Sequence, residues 1–268
     1  EIEDPAMDST GSPQVIIEKY DFTWGVLAIN VNKSIYLKGE QAYLQMAVLS
    51  DSGHTICDAK LKLEIKEPVE KSGLFGLKKE QNIITLSTED GTIQYSGKCG
   101  PNNVTDVPDY FAYYQIPDKT GIYEMKLINF DNGYEIVDSF EVRDTVLFEV
   151  ERIGPTRIYP LATYEMRIKV KANQDFVGEI VETVPFTFRI DENTGSGILR
   201  HEPDINTYTK QIGWEVELKA GDIYEIKYIF DAPDTSPYLY LLGPLEFTED
   251  SPPLTSLVFK EARKKPIN

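Results

Sequence analysis

The sequence predicts an all-β protein made of two tandem antiparallel sandwiches. Three observations carry that reading. Apolar and polar residues alternate in short segments, as in Ala42, Leu44, Met46 and Val48, then Ala59, Leu61, Leu63 and Ile65. A period of two marks a half-buried strand. Turn signals separate the segments, at Asp51-Ser52-Gly53, Asp90-Gly91, Asp131-Asn132-Gly133 and Asn193-Thr194-Gly195. The chain has 268 residues, 41% of them hydrophobic. That is too long for one ordinary sandwich and enough for two cores. The 16 Tyr and 12 Phe also favour strands.

In chain order, residues 1–13 are polar, carry two prolines and read as a flexible leader. Strands are expected at 14–20, 23–31, 41–49, 59–66, 83–87, 91–96, 110–116, 121–129 and 134–142. A second set is expected at 146–152, 163–171, 185–190, 209–218, 222–230 and 254–259. No long stretch has a helical period. Residues 73–79, "GLFGLKK", read as a short irregular or single-turn insert. The boundary falls near Arg143–Val146, giving a first domain at 14–144 and a second at 145–268. With no Gly/Ser-rich linker there, the junction is expected to be stiff.

Both halves place a glycine and then a tyrosine at the start of a late strand, Gly121-Ile122-Tyr123 and Gly221-Asp222-Ile223-Tyr224. This resembles the tyrosine corner of immunoglobulin-like sandwiches, in which the hydroxyl ties the strand to the preceding loop. Tyr123 and Tyr224 are the candidates; the alternative is two ordinary core tyrosines. The fold class is thus two tandem antiparallel Ig-like β-sandwich domains.

A net charge of −17 excludes nucleic acid and anionic membrane surfaces as partners. No apolar run reaches the length of a membrane span, so no direct membrane insertion is expected. The chain starts at Glu1 without an initiator Met or a signal peptide. It reads as a processed chain or a piece of a longer one, with any export signal or anchor outside it.

A search for chemistry finds little. His54 sits in a hairpin turn and His201 in a loop-like stretch, neither with a partner at metal-ligand spacing. No nucleophile elbow, phosphate loop or His-Glu-x-x-His occurs. No carboxylate pair stands out among 44 acidic residues. Loops at Glu89-Asp90, 106–109 and 191–193 are the candidates for calcium, without EF-hand spacing, against a reading as solvated acidic turns. The expectation is no catalytic residue, no cofactor and no enzyme. The run Tyr110-Phe111-Ala112-Tyr113-Tyr114 is aromatic on both faces. Tyr110, Phe111, Tyr113 and Tyr114 are candidates for stacking on a ligand such as a glycan, with core packing the stronger reading.

Gly39-Glu40-Gln41 matches the reactive thioester sequence Cys-Gly-Glu-Gln of complement and α2-macroglobulin proteins, except that Lys38 stands where the sulfur is needed. Without a thiol no acyl bond forms, so Lys38-Gly39-Glu40 reads as a turn into a strand. The wider stretch "YLKGEQAYLQMAVLSDSGHTICDAKLKLEI", with its Tyr-x-x-Gly-Glu, and the later "TGIYEMKL" resemble the macroglobulin-type β-sandwich over about residues 20–143. The strings "LSTEDGTIQYSGKCGPNNVTDVPDYFAYYQ", "VERIGPTRIYP" and "IKYIFDAPDTSPYLYLLGPLEF" resemble very large exported surface proteins of candidate phyla radiation bacteria. That resemblance implies an extracellular, cell-surface location and tandem sandwich architecture, and it supplies no activity. Export in turn implies that the only two cysteines, Cys57 and Cys99, form a disulfide, the alternative being two buried free thiols.

The functional expectation is therefore a non-enzymatic structural or protein-interaction segment of a bacterial surface protein. Its partners would be other surface proteins or neighbouring domains of the same chain. The alternative is a carbohydrate-binding or adhesive module. A third reading, a protease trap, lacks the thioester cysteine, and only 67–82 could serve it as a bait loop.

Overall fold

A computed structural model describes residues 27–69, 81–158 apart from 101, 102 and 106, 161–191, 208–233 and 240–248, together with the backbone of strands at 3–7, 13–17, 198–204, 249, 258–260 and 265–267. Every regular element among them is a β-strand, and none is a helix. A hairpin comes first, β1 (Glu3–Met7) with β2 (Pro13–Ile17), inside and beside the stretch expected as a flexible leader.

The first sandwich follows. Its strands are β3 (Leu27–Val31), β4 (Ile35–Leu37), β5 (Gln41–Val48), β6 (Leu61–Lys66), β7 (Ile83–Ser87), β8 (Gln94–Tyr95), β9 (Tyr110–Gln115), β10 (Gly121–Asn129) and β11 (Glu135–Arg143). One sheet runs β3-β5-β9-β8 and the other β4-β11-β10-β6-β7. Pairing is antiparallel except between β4 and β11, which run parallel. Between the sheets lies a core that includes Leu44, Met46, Leu63, Ile65, Tyr110, Tyr123 and Phe140. Alternation explains it: in β6 the residues Leu61, Leu63 and Ile65 are buried and the lysines and glutamate between them are not. Fully burying a Leu or Ile contributes about 1.5–3 kcal/mol.

The second set is β12 (Phe148–Ile153), β13 (Tyr164–Ala172), β14 (Phe176–Pro185), β15 (Arg189–Ile190), β16 (Ile198–Asp204), β17 (Thr209–Leu218), β18 (Ile223–Asp231), β19 (Tyr240–Leu242), β20 (Leu245–Glu249), β21 (Val258–Lys260) and β22 (Lys265–Ile267). One sheet runs β12-β13-β18-β15 and the other β16-β17-β14-β20-β21, while β19 pairs with β22. Their core includes Ile168, Phe188, Trp214, Tyr228 and Phe230. Phe188 stacks on Phe230 at 5.0 Å, and Phe148 on Phe247 at 4.0 Å. The two hydrophobic clusters share no residue, one drawing on 27–142 and the other on 148–247.

Several strands differ from expectation. β14 was not expected, yet it is ten residues long and central in its sheet. Its residues Ile180 to Val184 are all buried, so both faces are covered and alternation is lost. The segment expected at 185–190 divides, because Pro185 ends β14 and a turn precedes Arg189. Of 91–96 only Gln94–Tyr95 is strand, since Thr92 donates to Asp90 and holds a turn before it. The insert at 73–79 lies outside the described residues. No helix among the described residues is long and apolar enough to cross a membrane.

Candidate functional site

The Gly-Glu-Gln stretch builds part of the junction between the two cores. Gly39 has φ +75°, where a glycine is favoured, and it turns the chain from β4 into β5. Glu40 then folds back: one carboxylate oxygen accepts from the Leu37 N–H at 2.8 Å, and the other pairs with Lys33 at 2.7 Å. Lys33 also reaches Glu149 at 3.3 Å, and Glu149 pairs with Lys171 at 2.8 Å. Four alternating charges thus run from the first core to the second. Burial pulls the Lys33 ammonium down, but the carboxylates of Glu40 and Glu149 outweigh it and hold the group above its ordinary value. Burial pushes the Glu149 carboxyl up, and Lys171 and Lys33 together bring it below its ordinary value. Lys38, in the position a thioester cysteine would take, bridges Asp118 and Asp144 at 2.9 Å each.

Asn32 is the hub of the same joint. Its side-chain oxygen accepts from the Tyr36 hydroxyl at 2.6 Å and the Tyr43 N–H at 3.1 Å. Its amide donates to Glu151 at 2.9 Å, and its backbone carbonyl accepts from the Arg152 N–H at 2.8 Å. The Tyr-x-x-Gly-Glu residues Tyr36 and Glu40 are therefore both tied into the junction.

A second contact is fully buried. Arg157, 2% exposed, pairs with Asp109, 0% exposed, at 2.8 Å, and reaches the Gly100 carbonyl at 3.5 Å. Burial raises the Asp109 carboxyl and Arg157 opposes that rise; the net direction is upward. Gly100 follows Cys99, which is bonded to Cys57. The disulfide therefore anchors the loop that Arg157 grips. The hydroxyl of Tyr110 holds the other side of the bridge, donating to the Ile56 carbonyl at 2.6 Å and accepting from the Ala59 N–H at 3.0 Å.

The candidate residues divide clearly. Tyr123 is buried and its hydroxyl donates to the Lys119 carbonyl at 2.9 Å, the tyrosine-corner bond. Gly121 beneath it is required: a Cβ there would lie 2.8 Å from Pro68. Tyr224 is half-buried, and no hydrogen bond to its hydroxyl occurs among the described residues. The deep tyrosine of the second core is instead Tyr228, whose hydroxyl donates to Glu182 at 3.4 Å, while Glu182 pairs with Arg152 at 2.9 Å.

In the aromatic run, Tyr110 and Tyr114 point into the core, and Tyr114 donates to Glu67 at 3.2 Å. Only Phe111 and Tyr113 face outward. They meet Tyr43, a residue that sequence reasoning passed over because it sits at a polar position of β5. His54 is exposed and shares a hydrogen bond with Ser52 at 2.9 Å. The His201 side chain lies outside the described residues. Of the loops considered for calcium, Asp90 is engaged by Thr92 and Asp109 by Arg157. Among the described residues no three His, Cys, Asp or Glu side chains are grouped to hold a metal ion.

No protein-family model matches the chain, and no curated protein matches it. Among solved structures, a similar one is Salmonella α2-macroglobulin reacted with methylamine, at 12% identity and a TM-score of 0.30, covering 97% of this chain and 16% of that one. The chain thus spans about a sixth of that neighbour's length. The fold assignment rests on the strand pairing itself: an all-β chain of antiparallel sheets, consistent with immunoglobulin-like sandwiches.

Proposed function

We propose that this chain is a non-enzymatic structural segment of an extracellular surface protein, two β-sandwiches held as a stiff unit that spaces or presents what lies beyond them. The buried Asp109–Arg157 pair is the observation that carries it, because a flexible tandem would not bury a charge from each side of its joint. The Glu40–Lys33–Glu149–Lys171 chain and the Asn32 hub support the same reading. The Cys57–Cys99 disulfide supports an oxidising location. The resemblance to large exported surface proteins supports a cell-surface setting, with neighbouring domains or other surface proteins as partners. Distances between spin labels at the exposed positions Val137 and Val177 test the stiffness. A single narrow distribution is expected, broadened by Arg157→Ala. A broad distribution in the unaltered protein would sink the proposal. A screen against peptide, ester and glycoside substrates is expected to show no turnover; turnover lost in one point variant would refute the non-enzymatic part.

A further inference from the structure

An unpaired strand edge offers a row of N–H and C=O groups to any other chain. Folded sheets guard such edges by shortness, charge, proline, bulges or cover. The edges of the two sandwiches are β3 and β8, β4 and β7, β12 and β15, and β16 and β21. β4, β8, β15 and β21 are two or three residues long. β22 lies against β3. β12 carries Glu149, Glu151 and Arg152 and gives the Arg152 N–H to the Asn32 carbonyl. β16 carries Arg200, Glu202, Pro203 and Asp204, and its register shifts. Among the described residues β7 has none of these guards. Its residues Ile83-Ile84-Thr85-Leu86-Ser87 hold no charge and no proline, and they pair with β6 in unbroken register.

The direction of its open groups follows from its bonds to β6. The Glu67 N–H donates to the Asn82 carbonyl and the Thr88 N–H to the Leu61 carbonyl. Bonding alternates along an antiparallel pair, so Ile84 and Leu86 also face β6. Ile83, Thr85 and Ser87 therefore turn their backbone groups outward. Ser87 is already closed: its N–H donates to the Thr92 hydroxyl at 2.8 Å, and its carbonyl accepts from the Ile93 N–H at 2.9 Å. Ile83 and Thr85 have no such outward partner among the described residues. Both side chains are exposed, Ile83 at 48%.

Antiparallel pairing matches this edge to itself. We propose that β7 pairs antiparallel with β7 of a second copy of this chain, giving one sheet of ten strands, five from each copy. Ile83 of each copy lies opposite Thr85 of the other, and every open N–H meets an open carbonyl. Sliding the register one way sets Ile83 against the closed Ser87. Sliding it the other way sets Thr85 against Gln81, beyond the end of the strand. Ile and Thr are both β-branched, which suits facing strands. Charge also permits the contact. The chain carries −17, but the row behind β7 is Lys62, Glu64 and Lys66, so no negative charge is concentrated at this edge. The joint between the halves gathers near β4, the opposite edge of the same sheet, so this pairing does not rest on the stiffness of that joint.

Sedimentation equilibrium of the whole chain over about a hundredfold range of concentration tests the pairing. A monomer–dimer equilibrium is expected. Thr85→Pro removes an outward N–H that β6 does not use, and is expected to weaken association about tenfold. Thr85→Lys, opposite Glu64 in its own sheet, adds the missing edge charge and serves if Thr85→Pro lowers the melting temperature. Val177→Ala, in the second half, leaves the equilibrium unchanged. Mild oxidation of an equal mixture of the Ile83→Cys and Thr85→Cys proteins reads the register, and mixed disulfide dimers are expected to exceed their statistical share. A chain that stays monomeric throughout leaves the edge to another protein's strand and overturns the proposal. Association that survives both Thr85→Pro and Thr85→Lys overturns it too, as do mixed dimers at or below the statistical share.

Discussion

The two sandwiches solve the same problem with different chemistry. The first is closed by a covalent bridge, Cys57–Cys99, and by the Tyr123 corner. The second has no cysteine. At its centre stands a charged pair, Arg152–Glu182, with the Tyr228 hydroxyl on the same carboxylate. A disulfide acts largely by limiting the unfolded chain. A buried ion pair acts only in the folded state, and it demands that both partners stay in place. The first half should therefore respond to redox conditions and the second to loss of a single charge.

The largest effect is expected in the second half. Glu182→Leu takes the paired carboxylate away from the buried Arg152 guanidinium, 3% exposed, at a cost of about 3–5 kcal/mol. The double variant Arg152→Met/Glu182→Leu should regain most of that. Urea unfolding followed by Trp214 fluorescence, with Trp24→Phe as background, reports this half directly. A double variant as weak as the single would show that the pair contributes more than its own neutralisation.

Reduction comes next. The bridge spans 42 positions, for which chain entropy gives about 4 kcal/mol and engineered cases often less. Cys57→Ser/Cys99→Ser should destabilise the first half by about 2–4 kcal/mol and leave the Trp214 transition in place. Equal losses in both halves would mean that the junction couples them into one cooperative unit. Two alkylatable thiols in natively folded, aerobically purified protein would remove the bridge from the account.

A smaller contrast separates the two tyrosines. Tyr123→Phe deletes one hydrogen bond and should cost about 1 kcal/mol. Tyr224→Phe should cost close to nothing. Chemical denaturation of the pair of variants decides it, and equal losses would restore the symmetry that the sequence implies.

The smallest effect is the pH response of the joint that links the halves. Glu149 is held below its ordinary 4.5, so its contribution is present above that pH and is lost as pH falls through its lowered value. Lys33 is held above its ordinary 10.5, so its contribution is complete below that pH and fades as pH rises past it. Asp109, raised above 3.8, has the opposite sign to Glu149 and offsets part of the acid loss. The Val137–Val177 label distance should be narrowest between about pH 4.5 and 10.5 and broaden on the acid side. A width constant down to pH 3 would assign the stiffness to packing alone.

Much of this comparison was legible in the chain itself. Period-two alternation marked β6, β10 and β13, because each has one face in a core and the other turned outward; β5 alternates in sequence although Leu44 to Val48 are all buried. Gly121-Ile122-Tyr123 pointed to the corner that forms. Gly221 and Tyr224 carried the same signal without the bond, since a sequence echo fixes a residue's face but not what its hydroxyl meets. β14 escaped because burial on both faces erases alternation, and Glu182 inside it reads as a surface residue.

The amino-acid order by itself determined the alternating strands such as β6, β10 and β13, turns such as Asp51-Ser52-Gly53, and the absence of a thiol before Gly39. These depend on neighbours within a few positions, where backbone geometry and side-chain period act directly. Only the tertiary structure decided that Glu40 braces a joint and that Arg157 meets Asp109 across 48 positions. It also decided that Tyr43 completes the aromatic face with Phe111 and Tyr113. Such pairings depend on which strands become neighbours, and strand order in a sandwich is set by how two whole sheets bury their apolar faces together, not by any one segment.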